Sequence, residues 1–242
     1  MDMKMDDDDL KVFTGVGPTL THWALRADGS AMHALGSFTL PANVQYAWPH
    51  PAVDILYVAS SNGGTRAGPP GDTHHLSACA VDPHSGGLKA LGEPVVLPSR
   101  PIHITVHPSG QYALLAFNQP GAIRVYAIRP DGCVGPEVVQ RENIDAGNYP
   151  HQVRVTADGA TVFTVALGTN ASATQPEEPG AINVFDFADG QLSAQRIVAP
   201  HGGANFGPRH HDINPNGRWV CVSQERQHRM HVLRHDGRAH TG

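Results

Sequence analysis

Four stretches of the chain repeat one alternation of apolar and polar positions around a tight turn. They are "NVQYAWPHPAVDILYVASS" from Asn43, "IHITVHPSGQYALLAFN" from Ile102, "HQVRVTADGATVFTVALG" from His151 and "RHHDINPNGRWVCVSQE" from Arg209. Each reads as a short strand, a turn of the Pro/Ala-x-Gly kind, and a second strand rich in aliphatic and aromatic residues. Gly110, Gly159 and Gly217 occupy the same place in three of these turns, where a positive φ suits a residue without a Cβ. The first copy is looser, with "PHPAVD" in place of the glycine turn.

A second kind of hairpin lies between the first. It reads "LTHWALRADGSAMHALGSF" from Leu20, "HLSACAVDPHSGGLKALGEPV" from His75, "GAIRVYAIRPDGCVGPEVV" from Gly121, "GAINVFDFADGQLSAQRIV" from Gly180, and finally "HRMHVLRHDGR" from His228. Its turn is Asp-x-Gly-like, and its apolar positions recur every second residue. Two hairpins in series make a four-stranded antiparallel unit. The anchors Pro49, Pro108, Ala157 and Pro215 are spaced by 59, 49 and 58 residues. A β-sandwich of unrelated hairpins would explain the strands but not the recurring order of two turn types.

The expected fold is therefore all-β: a β-propeller of four-stranded antiparallel blades, with residues 1–242 forming a single incomplete domain. Neither a kelch nor a WD signature is present. Four hairpin pairs and a fraction do not close a ring, so the expectation is a truncated propeller with roughly two blades missing.

Composition narrows the function. A net charge of −5 argues against nucleic acid, whose phosphates need a Lys/Arg-rich face. No apolar run is long enough to span a membrane. The start, "MDMKMDDDDL", is acidic where a secretory signal is basic and then apolar, so the expected location is the cytoplasm. Its block Asp6 to Asp9 reads as a solvated terminus rather than a cation site. Cys79, Cys133 and Cys221 are odd in number and widely spaced, which suits buried thiols better than disulfides or a metal cluster. Trp23, Trp48 and Trp219 are scattered through strands and read as packing residues.

Only 16% of residues are charged, so an arginine, two histidines and a glutamate on the arms of one hairpin stand out. If "NPNG" (Asn214 to Gly217) is the turn, Glu225 returns to the edge that Arg209 left. The same offsets from the anchors select Asn43, Ile102, His151 and Arg209; then Val44, His103, Gln152 and His210; then Ala59, Asn118, Leu167 and Glu225. Blades are radial, so equivalent positions converge on one mouth of the channel. His103, Asn118, His151, Gln152, Arg209, His210 and Glu225 are expected to line it. A carboxylate beside an arginine and imidazoles suits an anionic substrate, with the glutamate as base and the cations stabilising an oxyanion. The same pattern also fits a rim that binds only water, with Arg209 paired to Glu225 as structure.

Other signals carry less. His228 and His231 in "HRMH" fall on opposite faces of a strand, and zinc requires further ligands, so no metal is expected. "GGTRAGPPG" (Gly63 to Gly71) lacks the Lys-Ser/Thr of a phosphate loop and reads as a surface loop.

The segments "GPRH" (Gly207 to His210) with "NPNGRWVCVSQE" closing at Glu225, "YPHQVRVTADG" (Tyr149 to Gly159) and "RPIHITVHPSGQYALLAFN" resemble the lactonase family of seven-bladed propellers. That family includes the cycloisomerase-type 6-phosphogluconolactonases and the carboxymuconate-lactonizing enzymes. The resemblance spans essentially the whole chain and implies that about four to five of seven blades are present. It implies His151, Arg209 and Glu225 as catalytic residues, with His210, His103, Asn118 and Gln152 binding substrate. The implied reaction is hydrolysis of 6-phosphogluconolactone in the pentose phosphate pathway, on a small anionic lactone and with no metal or organic cofactor. A different lactone or muconate acid, or a non-catalytic ligand-binding propeller, remain alternatives, and the sequence leaves the oligomeric state open. Two departures stand out: Ala166 replaces an acidic residue of the family pattern, and the connection "TNASATQPEEPG" (Thr169 to Gly180) is long. A further basic site residue of the family falls beyond Gly242.

Overall fold

The computed structural model describes residues 8–64 and 68–236. Within them the chain folds as five antiparallel sheets, and a 3₁₀ turn at Pro200–Gly203 is the one helical element. The first sheet contains β1 (Leu10–Val16), β2 (Thr19–Leu25) and β3 (Met32–Thr39). The second contains β4 (Val44–Pro49), β5 (Ile55–Ser61) and β6 (His74–Val81), and its last edge is split into β7 (Leu88–Ala90) and β8 (Val95–Val96), both paired with β6. Next comes the sheet of β9 (Pro101–Val106), β10 (Tyr112–Asn118), β11 (Gly121–Ile128) and β12 (Val134–Glu137). The fourth is β13 (Pro150–Val155), β14 (Thr161–Ala166), β15 (Ala181–Ala188) and β16 (Gln191–Val198). The last is β17 (Pro208–Ile213), β18 (Trp219–Gln224) and β19 (Arg229–Arg234).

Apart from the split edge of β7 and β8, every sheet is a meander in which chain neighbours are sheet neighbours, the construction of a β-propeller blade. The hairpins read from the sequence are present among the described residues, except that only the first strand of the last one, β19, is described; β1 is an additional strand whose weak alternation conceals it. Gly110, Gly159 and Gly217 adopt φ of 73°, 75° and 71°, as their turns require. The last Asp-x-Gly-like turn lies largely outside the described residues, as do parts of the Asp6–Asp9 block and of the Gly63–Gly71 loop.

The chain divides into two compact units, Met1–Pro101 with Arg129–Gly135, and Ile102–Ile128 with Pro136–Gly242. In the first unit, Leu20, Leu40, Leu56, Val58 and Cys79 form the core between the first two sheets. In the second, Leu114, Val125, Val153, Val162 and Phe185 close one layer, and Phe163, Val165, Ile182, Phe206, Val220 and Val222 the next. The middle strands β10 and β14 are buried along almost their whole length. This explains their unbroken apolar sequences. By contrast β18 alternates, burying Val220, Val222 and Gln224.

Trp219 corrects the sequence reading, since it is 44% exposed on the other face of β18 and packs little. Cys79 and Cys133 are buried free thiols, and Cys221 is a half-buried one. Burial pushes the Cys79 thiol up to about 11. Among the described residues no helix is long and apolar enough to cross a membrane.

Two glycines set how closely sheets of the second unit approach. A Cβ on Gly121 would lie 3.1 Å from Pro150 Cδ, and one on Gly180 would lie 2.8 Å from Pro208 Cδ. These are the glycines of "GAIRV" and "GAINV", and the prolines open β13 and β17. A first strand residue without an N–H suits proline there. The next residue in each case is a candidate site residue, His151 or Arg209.

Candidate active site

The candidate residues lie in the second unit, at the starts of β9, β13 and β17 and the ends of β10 and β18. Two strand pairs share an irregularity there. Pro150 pairs with Ala166 and Gln152 with Val165, so the ladder steps over His151. Pro208 pairs with Gln224 and His210 with Ser223, so it steps over Arg209. Such a two-against-one bulge turns a side chain away from the regular alternation and is common beside functional sites. The first unit repeats it at Gln45, between Val44 and Tyr46.

Backbone hydrogen bonds fix the equivalence at the other strand end. The N–H groups of Leu167 and Glu225 donate to Tyr149 and Gly207 at 3.0 Å, and Ser61 donates to Asn43 at 2.8 Å. The equivalents in the loose first hairpin are therefore Gln45 and Ser61, not Asn43 and Ala59. Its longer turn displaced the anchor on which the offsets relied.

Arg209 Nη1 lies 2.5 Å from Glu225 Oε2, and both side chains are more than two-fifths exposed. They are accessible to a ligand. His151 and His210 stand edge to face with ring centroids 4.8 Å apart. Burial lowers the proton affinity of His210, as does the Arg209 charge, while Glu225 opposes them. The exposed pair and the two imidazoles form a polar corner with a carboxylate acceptor, a guanidinium donor and two ring nitrogen pairs.

The remaining candidates lie deeper. His103 is 1% exposed, and burial holds its proton affinity well below the usual imidazole range, assisted by the charges of His211, Arg154, His151 and His210. Gln152 is buried and its Oε1 accepts the His211 N–H at 2.6 Å, a link from β13 to β17. Asn118 is buried at the end of β10, paired with Gly121, whose backbone abuts Pro150. These three are buried, unlike the exposed Arg209 and Glu225.

Residues the sequence reading passed over complete the surroundings. His211 is buried among Gln152, Phe163 and the Arg154 charge, and its ring is pushed down to about 3 by burial first and by Arg154 and His210 next. Arg154 reaches across to Asp212 at 2.8 Å. Arg226, directly after Glu225, meets Glu177 of the long connection at 2.7 Å. Only the doubled histidine signalled His211, and nothing local in the sequence marks Glu177. Among the described residues no group of His, Cys, Asp or Glu side chains is arranged to hold a metal ion.

An antiparallel blade scaffold with an exposed Arg–Glu pair and two imidazoles at its strand ends defines a β-propeller with a polar corner. A family model, Lactonase, 7-bladed beta-propeller, matches residues 12–241, and the chain belongs to that family. Among solved structures, the periplasmic gluconolactonase of Pseudomonas aeruginosa is similar, with a TM-score of 0.72, 22% identity, and coverage of 95% of this chain and 65% of that one. A 6-phosphogluconolactonase candidate from Bacteroides uniformis matches at a TM-score of 0.71 and 21% identity, with the same coverages of 95% and 65%. A Lactobacillus plantarum protein matches at 0.68 and 21% identity, over 90% of this chain and 59% of that one. The chain thus spans less than two thirds of the length of these structures. No curated protein sequence matches it significantly.

Proposed function

We propose that the protein is a lactone hydrolase, with 6-phosphogluconolactone as substrate and the oxidative branch of the pentose phosphate pathway as its setting. The observation that carries this reading is the exposed Arg209–Glu225 pair beside the edge-to-face imidazoles of His151 and His210. In the proposed reaction, water attacks the lactone carbonyl carbon and gives its proton to Glu225. Arg209 and the two histidines hold the developing oxyanion and the substrate phosphate. The ring C–O bond then breaks, and the leaving alkoxide takes the proton back from Glu225 to give the hydroxy acid. His103, Asn118 and Gln152, being buried, support this corner. No step calls on a metal or organic cofactor.

A second substrate, unphosphorylated gluconolactone, is favoured by the name of the Pseudomonas neighbour. Other lactones, muconate acids and a purely ligand-binding role are the remaining readings. We place the protein in the cytoplasm, where the three free thiols stay reduced; cell fractionation checks this. Acid release from freshly made 6-phosphogluconolactone and from gluconolactone, corrected for spontaneous hydrolysis, tests the activity. The expected result is a fast wild type that prefers the phosphorylated lactone, and a folded Glu225→Gln variant slower by about 10² to 10⁴. Folded wild type matching the spontaneous rate on both lactones removes the reading.

A further inference from the structure

The corner that carries Arg209 and Glu225 is framed by a residue of another hairpin. The long connection between β14 and β15 folds back on itself through paired backbone hydrogen bonds between Thr169 and Glu178. Gly168 permits the fold-back, since a Cβ there would collide with the Glu178 carbonyl. The next side chain inward, Glu177, is thereby delivered to the last sheet. Its Oε1 accepts two hydrogen bonds at 2.7 Å each, from Asn205 N–H and from Arg226 Nη1.

Both contacts bear on the Arg209–Glu225 pair through the backbone. Asn205 opens the segment Asn205–Phe206–Gly207–Pro208 that leads into Arg209, and its carbonyl also accepts from Gln227 Nε2 at 2.8 Å. Arg226 follows Glu225, and its stem lies over Gly207, where a Cβ would stand 2.5 Å from Arg226 Cγ. Gly207 in turn accepts the Glu225 N–H. The segment entering Arg209 and the segment leaving Glu225 are thus held to one carboxylate.

Charge strengthens the argument. Two guanidiniums and two carboxylates share this corner, so Glu225 has two possible cationic partners. The Glu177–Arg226 pair is the more enclosed, with side chains 10% exposed for Arg226 and 25% for Glu177, against 42% and 46% for Arg209 and Glu225. Occupying Arg226 in the interior leaves the exposed carboxylate to Arg209.

We infer that Glu177 is a positioning residue, which fixes the Arg209–Glu225 pair by neutralising Arg226 and clamping the strand entry at Asn205. The inference rests on the lactonase reading for its kinetic consequence but not for its structural one. It makes the long connection a determinant of the site's geometry although none of its residues touches the reacting atoms.

The test uses the intact protein with Glu177→Gln, Arg226→Met and the double variant. Arg226→Met keeps the stem over Gly207 and carries the test if Glu177→Gln does not fold. Steady-state hydrolysis of 6-phosphogluconolactone is measured together with the Arg209 Nε–Hε resonance, assigned by its loss in Arg209→Lys. Each single variant is expected to lower kcat about tenfold at nearly constant KM, because a displaced catalytic group costs turnover before binding. The double variant is expected to be no slower than either single one, since both break the same link. The Arg209 resonance is expected to shift or broaden in all three. Unchanged kcat with an unmoved Arg209 resonance overturns the inference, as do losses that multiply in the double variant. If no protein exceeds spontaneous hydrolysis, the lactonase reading falls, and the Arg209 resonance alone then decides for or against the positioning role.

Discussion

Arg209 and Glu225 touch although the strand ladder pairs neither of them. Arg209 is the residue skipped between Pro208 and His210, and Glu225 lies one residue beyond Gln224, the last partner on β18. Their ion pair at 2.5 Å is therefore a product of the bulge and the strand end, not of sheet register. Residues released from the ladder in this way are free to face a ligand.

Such an exposed pair adds little to the fold. Arg209→Gln is expected to change stability by no more than about 1 kcal/mol, the usual range for a surface ion pair. Lactone turnover should fall steeply in the same protein. Urea unfolding alongside the kinetic assay checks both; a large stability loss with normal turnover would assign the pair to structure.

Gln152 is expected to behave in the opposite way. Replacing it by Leu removes the acceptor of the buried His211 N–H, at a cost of about 1 to 3 kcal/mol. Denaturation midpoints report this loss. Were Gln152 only a substrate contact, KM would rise with the midpoint unchanged.

Acid should unfold the protein in part through its buried imidazoles. His103 and His211 are held neutral in the fold, the latter pushed down to about 3, whereas unfolding restores the ordinary imidazole affinity of about 6.5. The unfolded state thus binds the extra protons. The stability due to neutral His211 is complete above about pH 6.5 and declines as pH falls from there towards 3. The slope is about 1.4 kcal/mol per pH unit for each such histidine. Chemical denaturation between pH 7 and 4 should give a shallower decline for His211→Leu than for wild type. Equal slopes would show that His211 takes its proton in the folded state.

The two sheet-spacing glycines lend themselves to a steric test. Gly180→Ala places a methyl 2.8 Å from Pro208 Cδ and 3.0 Å from the Gly207 nitrogen. The expected cost is about 1 to 3 kcal/mol, as for other overpacked sites. Because Pro208 precedes Arg209, turnover should fall further than Tm alone accounts for. Gly202 has open space around its missing Cβ, so Gly202→Ala carries only the strain of its φ of 72° and serves as the comparison.

The repeat was legible because turn chemistry and two-residue periodicity are local properties. Gly110, Gly159 and Gly217 mark the same point of three turns, and counting from them places His151, Arg209 and Glu225 at strand ends. Depth was not legible in the same way. His103, Asn118 and Gln152 occupy offsets equivalent to exposed residues yet are buried, because exposure depends on how neighbouring sheets cover a strand end. Nor could Glu177 be found, since its partners Asn205 and Arg226 lie 28 and 49 residues away and meet it only after the connection folds back. In the first hairpin the longer turn shifted the count, which is why Gln45 escaped the offset rule.

The skipped residues have a consequence for how such a protein can change. Gln45, His151 and Arg209 each stand outside the counting of their ladders. Exchanging one of them leaves every other residue on its own face and in its own pairing. Each blade that has the bulge therefore offers one position where chemistry can be rewritten while the architecture is left alone. A set of substitutions confined to these places is the natural way to vary side chains at the strand ends of this scaffold without disturbing its ladders.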